Sequence, residues 1–120
     1  MNFNNYTTKA QETIQLAQEI TQVFGHNQIE NEHIFKALTQ VDENVLPFIL
    51  KKLDINIAIV IQTLDKHLES LPKVSGADLL LSRIASKSLT EAAVIAKKMK
   101  DEFISIEHLI LGIFKSKSTP

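Results

Sequence analysis

IENEHIFKAL at residues 29–38 and ISIEHLILGI at residues 104–113 spell one phrase twice: Ile-x-x-Glu-His followed by an apolar turn. The two Glu-His pairs, Glu32-His33 and Glu107-His108, stand 75 residues apart in a chain of 120. Two histidines and two carboxylates could mark a metal site, or the phrase could be the trace of a duplicated fold. Shifting the chain by 75 residues favours duplication. Ala10 falls on Ala85, Ala17 on Ala92, Ile20 on Ile95 and Ile29 on Ile104, with Thr13 on Ser88, Ile14 on Leu89, Phe24 on Met99, Ile34 on Leu109 and Leu38 on Ile113. No gap is needed from Ala10 to Leu38, and the matched apolar positions keep helical spacing, as they do when one helix–loop–helix unit is used twice.

Around this repeat the chain reads as all-α. Glycine and proline number three each, which leaves long uninterrupted segments. The apolar spacing predicts a first helix over 8–24, with Thr7 or Thr8 as its cap and Gly25 in the left-handed position after it. A second helix is predicted to start at Asn31, whose side chain can accept from backbone N–H groups, and a third over 42–53 with Pro47 tolerated in its first turn. Asn56 caps a fourth, to about Leu71. INIAIVI at 55–61 is β-branched and alternating, but Leu64 and Leu68 continue a helical period from Val60 and Ile61. LPKVSG at 71–76 reads as the linker. Ser82 caps a fifth helix through Lys100, with Ile84, Ala85, Leu89, Ala92, Ile95, Ala96 and Met99 on its buried side. Ser105 caps a sixth to about Phe114, and a polar, frayed tail follows from Lys115 to Pro120. This gives one domain over 1–120: repeat one about 7–71, linker about 72–81, and repeat two about 82–114. The second repeat lacks counterparts of Asp42–Leu71, so it is either naturally short or cut from something longer.

Composition narrows the function classes. Thirteen basic against 14 acidic residues leave a net charge of −1, so no global field draws in nucleic acid or anionic lipid. The absence of cysteine removes disulfides, thiol catalysis and cysteine-ligated zinc, and fits a reducing cytoplasm. Residues 1–8 carry no basic or apolar region of a signal peptide, and the most apolar window, 55–64, is too short to cross a bilayer. Adjacent Glu and His point about 100° apart on a helix, unlike His-x-x-x-His ligands, so His33 and His108 read as packed or hydrogen-bonded rather than metal-binding. His26 and His67 lack ligand spacing. The six phenylalanines read as core, with Phe103 the exception to examine for exposure. No Gly-x-Ser-x-Gly elbow and no local reason for a raised carboxylate pKa exist, so the chain reads as a binding domain and not an enzyme.

The paired Ile-x-x-Glu-His signatures, with NNYTTK at 4–9, VDENVLPFILKKL at 41–53 and LPKVSG at 71–76, resemble the N-terminal double repeat of the Clp unfoldases, and its ClpB-type disaggregase branch most. That resemblance spans about 1–115. It implies an all-α, pseudo-symmetric domain joined to two AAA+ ATPase modules, which bind ATP and Mg and form a hexameric ring working with a DnaK-type chaperone. The chain itself has no phosphate-binding loop; its glycines are Gly25, Gly76 and Gly112. What the resemblance leaves to it is reception of unfolded or aggregated polypeptide, with no cofactor of its own, as a cytoplasmic and monomeric domain. By the same resemblance Thr7, Asp101 and Glu107 are substrate-handling positions, and Phe103 and Ile104 contribute to an apolar groove. In the ClpC relatives the glutamates of both signatures serve phosphoarginine pockets, which would give Glu32 a pseudo-symmetric second site. Docking of folded adaptors to a ClpC- or ClpA-type protease unfoldase is the alternative role. Glu32 and Glu107 also have a structural reason to recur, because a carboxylate in a first turn suits the helix dipole. Thr7 likewise has one, as a cap.

Overall fold

Thr7 turns the chain into its first helix, α1 (Thr8–Val23), its Oγ1 accepting from the Ala10 N–H at 3.2 Å. Ser82 stands 75 residues later and does the same for α5 (Arg83–Lys98), accepting from Ala85 N–H at 3.0 Å. The computed structural model describes residues 3–74 and 78–117. Between these two caps run β1 (Gln28–Ile29), α2 (Asn31–Val41), α3 (Val45–Lys52), α4 (Ile57–Ser70) and β2 (Leu80–Leu81); α6 (Ile106–Lys117) follows α5. The chain is all-α in architecture, as the spacing predicts, and its two strands are two residues each.

Each repeat opens as a helical hairpin, α1 on α2 and α5 on α6. The α5–α6 contact is the tighter. A Cβ on Gly112 would strike the Ser88 carbonyl and lie 3.0 Å from Ala92 N, so only glycine fits this close approach. At the corresponding place in repeat one stands Ala37, fully buried.

Both first helices end in the same motif. His26 N–H reaches back to Thr21 O and Asp101 N–H to Ala96 O, both at 2.9 Å, across a residue in the left-handed region. In repeat one that residue is Gly25 at φ 77°, as predicted. In repeat two it is Lys100 at φ 60°, a side chain carrying the strain that glycine avoids.

The halves are joined crosswise. Ile29, from the loop of repeat one, pairs in parallel with Leu81, which leads into repeat two. Ile104, from the loop of repeat two, pairs with Tyr6, which leads into repeat one. Thr7 N–H donates to Ile104 O at 2.9 Å, and Ser82 N–H to Ile29 O at 3.0 Å. Every one of these residues maps onto another by the shift of 75. The pseudo-twofold is therefore written in backbone hydrogen bonds as well as in side chains.

Several boundaries differ from expectation. Helix α2 does start at Asn31, but Glu30 is its capping residue, and the buried Asn31 amide donates to Ser116 Oγ at 3.2 Å across the repeat interface instead of accepting from the first turn. The third helix starts at Val45 because the Asp42 carboxylate accepts from the N–H groups of Asn44, Val45 and Leu46 and holds the preceding residues in a turn. Pro47 does lie in that first turn. INIAIVI enters α4, capped by Asn56, and Val60, Ile61 and Leu64 are half-buried while Leu68 is fully buried. Lys36 pairs with Asp65 and ties α4 to α2. Ile84 and Met99 are more than half exposed rather than buried, one in the first turn of α5 and the other at its C-cap. Phe48 and Phe114 join Phe103 among the exposed apolar residues. Helix α6 continues through Lys117, past the predicted end at Phe114. In the linker, Val74 N–H bonds Gly25 O at 2.8 Å, whereas Ser75 and Gly76 lie outside the described residues, as do 118–120 of the tail. Among the described residues no helix is long and apolar enough to cross a membrane.

Candidate functional site

The reason for the repeated histidine is local. In α2, His33 is the third helical residue, and its Nδ1 accepts from the Glu30 N–H at 2.8 Å. In α6, His108 Nδ1 accepts from the Ser105 N–H at 2.8 Å. Each imidazole thus closes the first turn by reaching back to the residue before the helix, the task that Glu or Gln performs in a capping box. Both rings are buried, and among the described residues no group of three or more His, Cys, Asp or Glu could hold a metal ion. The histidine fixes the turn, and the preceding glutamate rides on its outer side.

That turn carries Glu107 to a depression of about 400 Å³ at the start of α1. Thr7, Thr8 and Lys9 form one wall; Asp42, Asn44 and Val45 another; Ser105, Ile106 and Glu107 the third. Two of the three positions carried over by resemblance, Thr7 and Glu107, therefore share one concavity. Asp101 is not on its wall. Its carboxylate accepts from His108 Nε2–H at 2.9 Å, so it acts on the depression through the ring that caps the Glu107 turn. Phe103 is 48% exposed in the loop before α6, a free apolar surface. Ile104 is 3% exposed, its carbonyl taken by Thr7 and its N–H by Asn5, which puts its side chain in the core rather than on an open groove.

Asp42 is the site residue that sequence reasoning did not single out. Burial pushes its carboxyl up, but three backbone amides and the charge of Lys9 more than reverse this and hold it below the ordinary carboxylate range. It stays anionic on the wall it shares with Asn44 and Val45. Lys9 supplies the one positive group on the Thr7 wall, so the surface offers a cation and carboxylates side by side.

Glu32 lies beside a second depression of about 360 Å³, lined by Glu30, Asn31, Glu32, His67, Leu71, Ile84 and Ser116. Its Glu30, Asn31, Glu32 and Ile84 are the counterparts of Ser105, Ile106, Glu107 and Lys9. The two concavities are related by the pseudo-twofold but differ in chemistry. His67 on α4 stands 3.6 Å from the Glu32 carboxylate, and an apolar Ile84 replaces the ammonium. A third, mostly apolar groove of about 440 Å³ runs between α2, α4 and the end of α6, past Phe35, Ile59 and Phe114.

Residues 5–120 match the Clp repeat (R) N-terminal domain. The chain belongs to that family. The Clp N-domain described here is 45% identical over 119 residues to the chaperone protein ClpB of Bacteroides thetaiotaomicron, a match covering 99% of this chain and 14% of that relative. The chain thus spans about a seventh of the length of this ClpB and corresponds to its N-terminal region. Among solved structures, the Hsp104 N-terminal domain from Candida albicans superposes with a TM-score of 0.86 at 20% identity, covering 96% of this chain and 77% of that one. The N-terminal domain of the caseinolytic protease associated chaperone ClpD from Arabidopsis thaliana does so with a TM-score of 0.76 at 19% identity, covering 97% and 79%. At those identities the structures report the fold alone. The sequence relatives are ClpB chaperones, and it is their N-terminal region that the chain resembles.

Proposed function

We propose that this domain receives unfolded or aggregated polypeptide and passes it to a ClpB-type AAA+ ring, with no cofactor and no catalysis of its own. The observation that carries the reading is the meeting of Thr7 and Glu107 in one concavity with a buried anionic Asp42 in its wall. A receptor for many sequences needs weak capture: apolar contact for affinity and a few polar groups for orientation. Phe103 supplies exposed apolar area nearby in sequence, and Glu107 offers a carboxylate to Lys or Arg of a client. The motor, its ATP and Mg, and a DnaK-type partner belong to the longer protein that this reading requires.

Titration of the isotope-labelled chain with a permanently unfolded polypeptide, followed by NMR, tests it. Shifts are expected at Thr7, Lys9, Ser105 and Glu107. Glu107→Gln should weaken binding of a basic client by roughly two- to fivefold, the 0.5–1 kcal/mol of a partly exposed ion pair. An unchanged spectrum at millimolar client would refute the receptor reading.

A second reading is adaptor docking or phosphoarginine binding in the manner of a protease unfoldase, and the paired depressions favour it. It requires both Glu32 and Glu107 to respond to free phosphoarginine or to a folded adaptor. A response at Glu107 alone, and only to unfolded client, would discard it.

A further inference from the structure

The capping histidine has different company in the two halves. His33 Nδ1 accepts from Glu30 N–H, so the proton of the neutral ring is on Nε2. That proton is donated to His26 Nδ1 at 2.9 Å, and His26 in turn must carry its own on Nε2, a buried atom with no acceptor among the described residues. The pair has no vacant acceptor for another proton. One added to His33 would face the Glu30 N–H; one added to His26 would face His33 Nε2–H. Either turns a hydrogen bond of 2.8 or 2.9 Å into a contact between two donors.

In repeat two the position of His26 is held by Asp101. His108 Nε2–H points at its carboxylate, and Ser105 Oγ lies 3.0 Å from His108 Nδ1 as an acceptor for a second proton. An imidazolium there would face the Ser105 N–H just as a protonated His33 would face that of Glu30, but it keeps an anion on one side and has a hydroxyl acceptor on the other, neither of which His33 has among the described residues. We propose that the His26–His33 pair is an acid-sensitive latch, whose protonation opens the first loop and frees β1 from β2 while the His108–Asp101 pair holds the second loop shut.

The surroundings support the asymmetry. Burial and the neighbouring His26 push His33 down from the ordinary 6.5 to about 4, His67 on α4 adds to this, and Glu32 opposes it. Glu30 lies at the same turn. On the linker the Lys73 ammonium is held by the Phe24 carbonyl at 3.1 Å, and the Phe24 ring stacks on His26. A base whose folded-state pKa lies below its unfolded one contributes stability that is whole above pH 6.5 and drains away as the pH falls towards 4. Ile29 sits between the two histidines and pairs with Leu81, so the loop cannot open without releasing the lead-in to α5.

Hydrogen exchange by NMR on the whole chain, from about pH 7.5 to 4.5, is the test, read at four amides. Protection at Glu30 and Ser82 should fall about tenfold per pH unit below about 6, the slope of one proton. Protection at Ser105 and Thr7 should hold. His26→Asp gives repeat one the pairing of repeat two; it should abolish the loss and raise the His33 midpoint by about one unit or more, as a nearby carboxylate does. The reciprocal Asp101→His should transfer the loss to Ser105 and Thr7, and it decides the matter if His26→Asp fails to fold. Equal loss in both loops of the unaltered chain overturns the proposal. So does a folded Asp101→His chain that keeps Ser105 and Thr7 protected at pH 5.

Discussion

At the scale of single residues, equivalent positions show what each side chain is for. Lys100 does with a Cβ what Gly25 does without one. Lys100→Gly should therefore stabilise the chain, by about 0.5–1 kcal/mol after the entropy cost of glycine in the unfolded state is counted. Urea denaturation with an unchanged m-value checks it. Asp42 is the opposite case. Asp42→Ala leaves three amides at the start of α3 without their carboxylate and should cost about 2 kcal/mol, the upper range for a lost cap. Because its folded pKa is depressed, that contribution is present above pH 4 and disappears as acid protonates the carboxyl. The wild-type and Asp42→Ala stabilities should converge at low pH.

At the scale of elements, the contrast lies between the two hairpins. Gly112 lets α6 press on α5, so Gly112→Ala must push the helices apart against the Ser88 carbonyl. Overpacking of this kind costs about 1–3 kcal/mol, more than the helix propensity that alanine restores. Thermal melts should show α5–α6 weakened, and Ser88→Ala should not rescue it, since the obstacle is backbone. The helices themselves were legible in the sequence: capping by Thr7, Asn56 and Ser82, the left-handed Gly25 and the helical period through INIAIVI all hold. What failed to show was the start of α3 and the surroundings of Asn31, because both depend on polar side chains choosing a partner across the chain. A carboxylate that caps from three residues away looks like any acidic residue in a loop. The concavity shared by Thr7 and Glu107 was reachable only through resemblance, since nothing local joins positions a hundred residues apart. Shifting the chain by 75 did contain more than apolar matches. It also aligns Thr7 with Ser82, Gly25 with Lys100 and His26 with Asp101, pairs that differ in chemistry and so fall below notice as a repeat.

At the scale of the whole molecule, neither hairpin satisfies its own loop. The backbone of Ile29 is completed by residues 80–82 and that of Ile104 by residues 5–7. Peptides covering 1–74 and 75–120 should each show reduced helicity by circular dichroism, and mixing them should restore it in proportion to concentration. Two separately helical halves that ignore each other would contradict the crosswise pairing. This arrangement also bears on swapping. Every contact that one half makes with the other could be made equally well with the same half of a neighbouring molecule, and the bonds would be identical in both cases. Only the tether between Leu71 and Leu79 prefers the partner at home, by supplying a local concentration of about a millimolar. An exchanged dimer is therefore expected only at chain concentrations approaching that local value, and dilution followed by size-exclusion chromatography should return it to monomer.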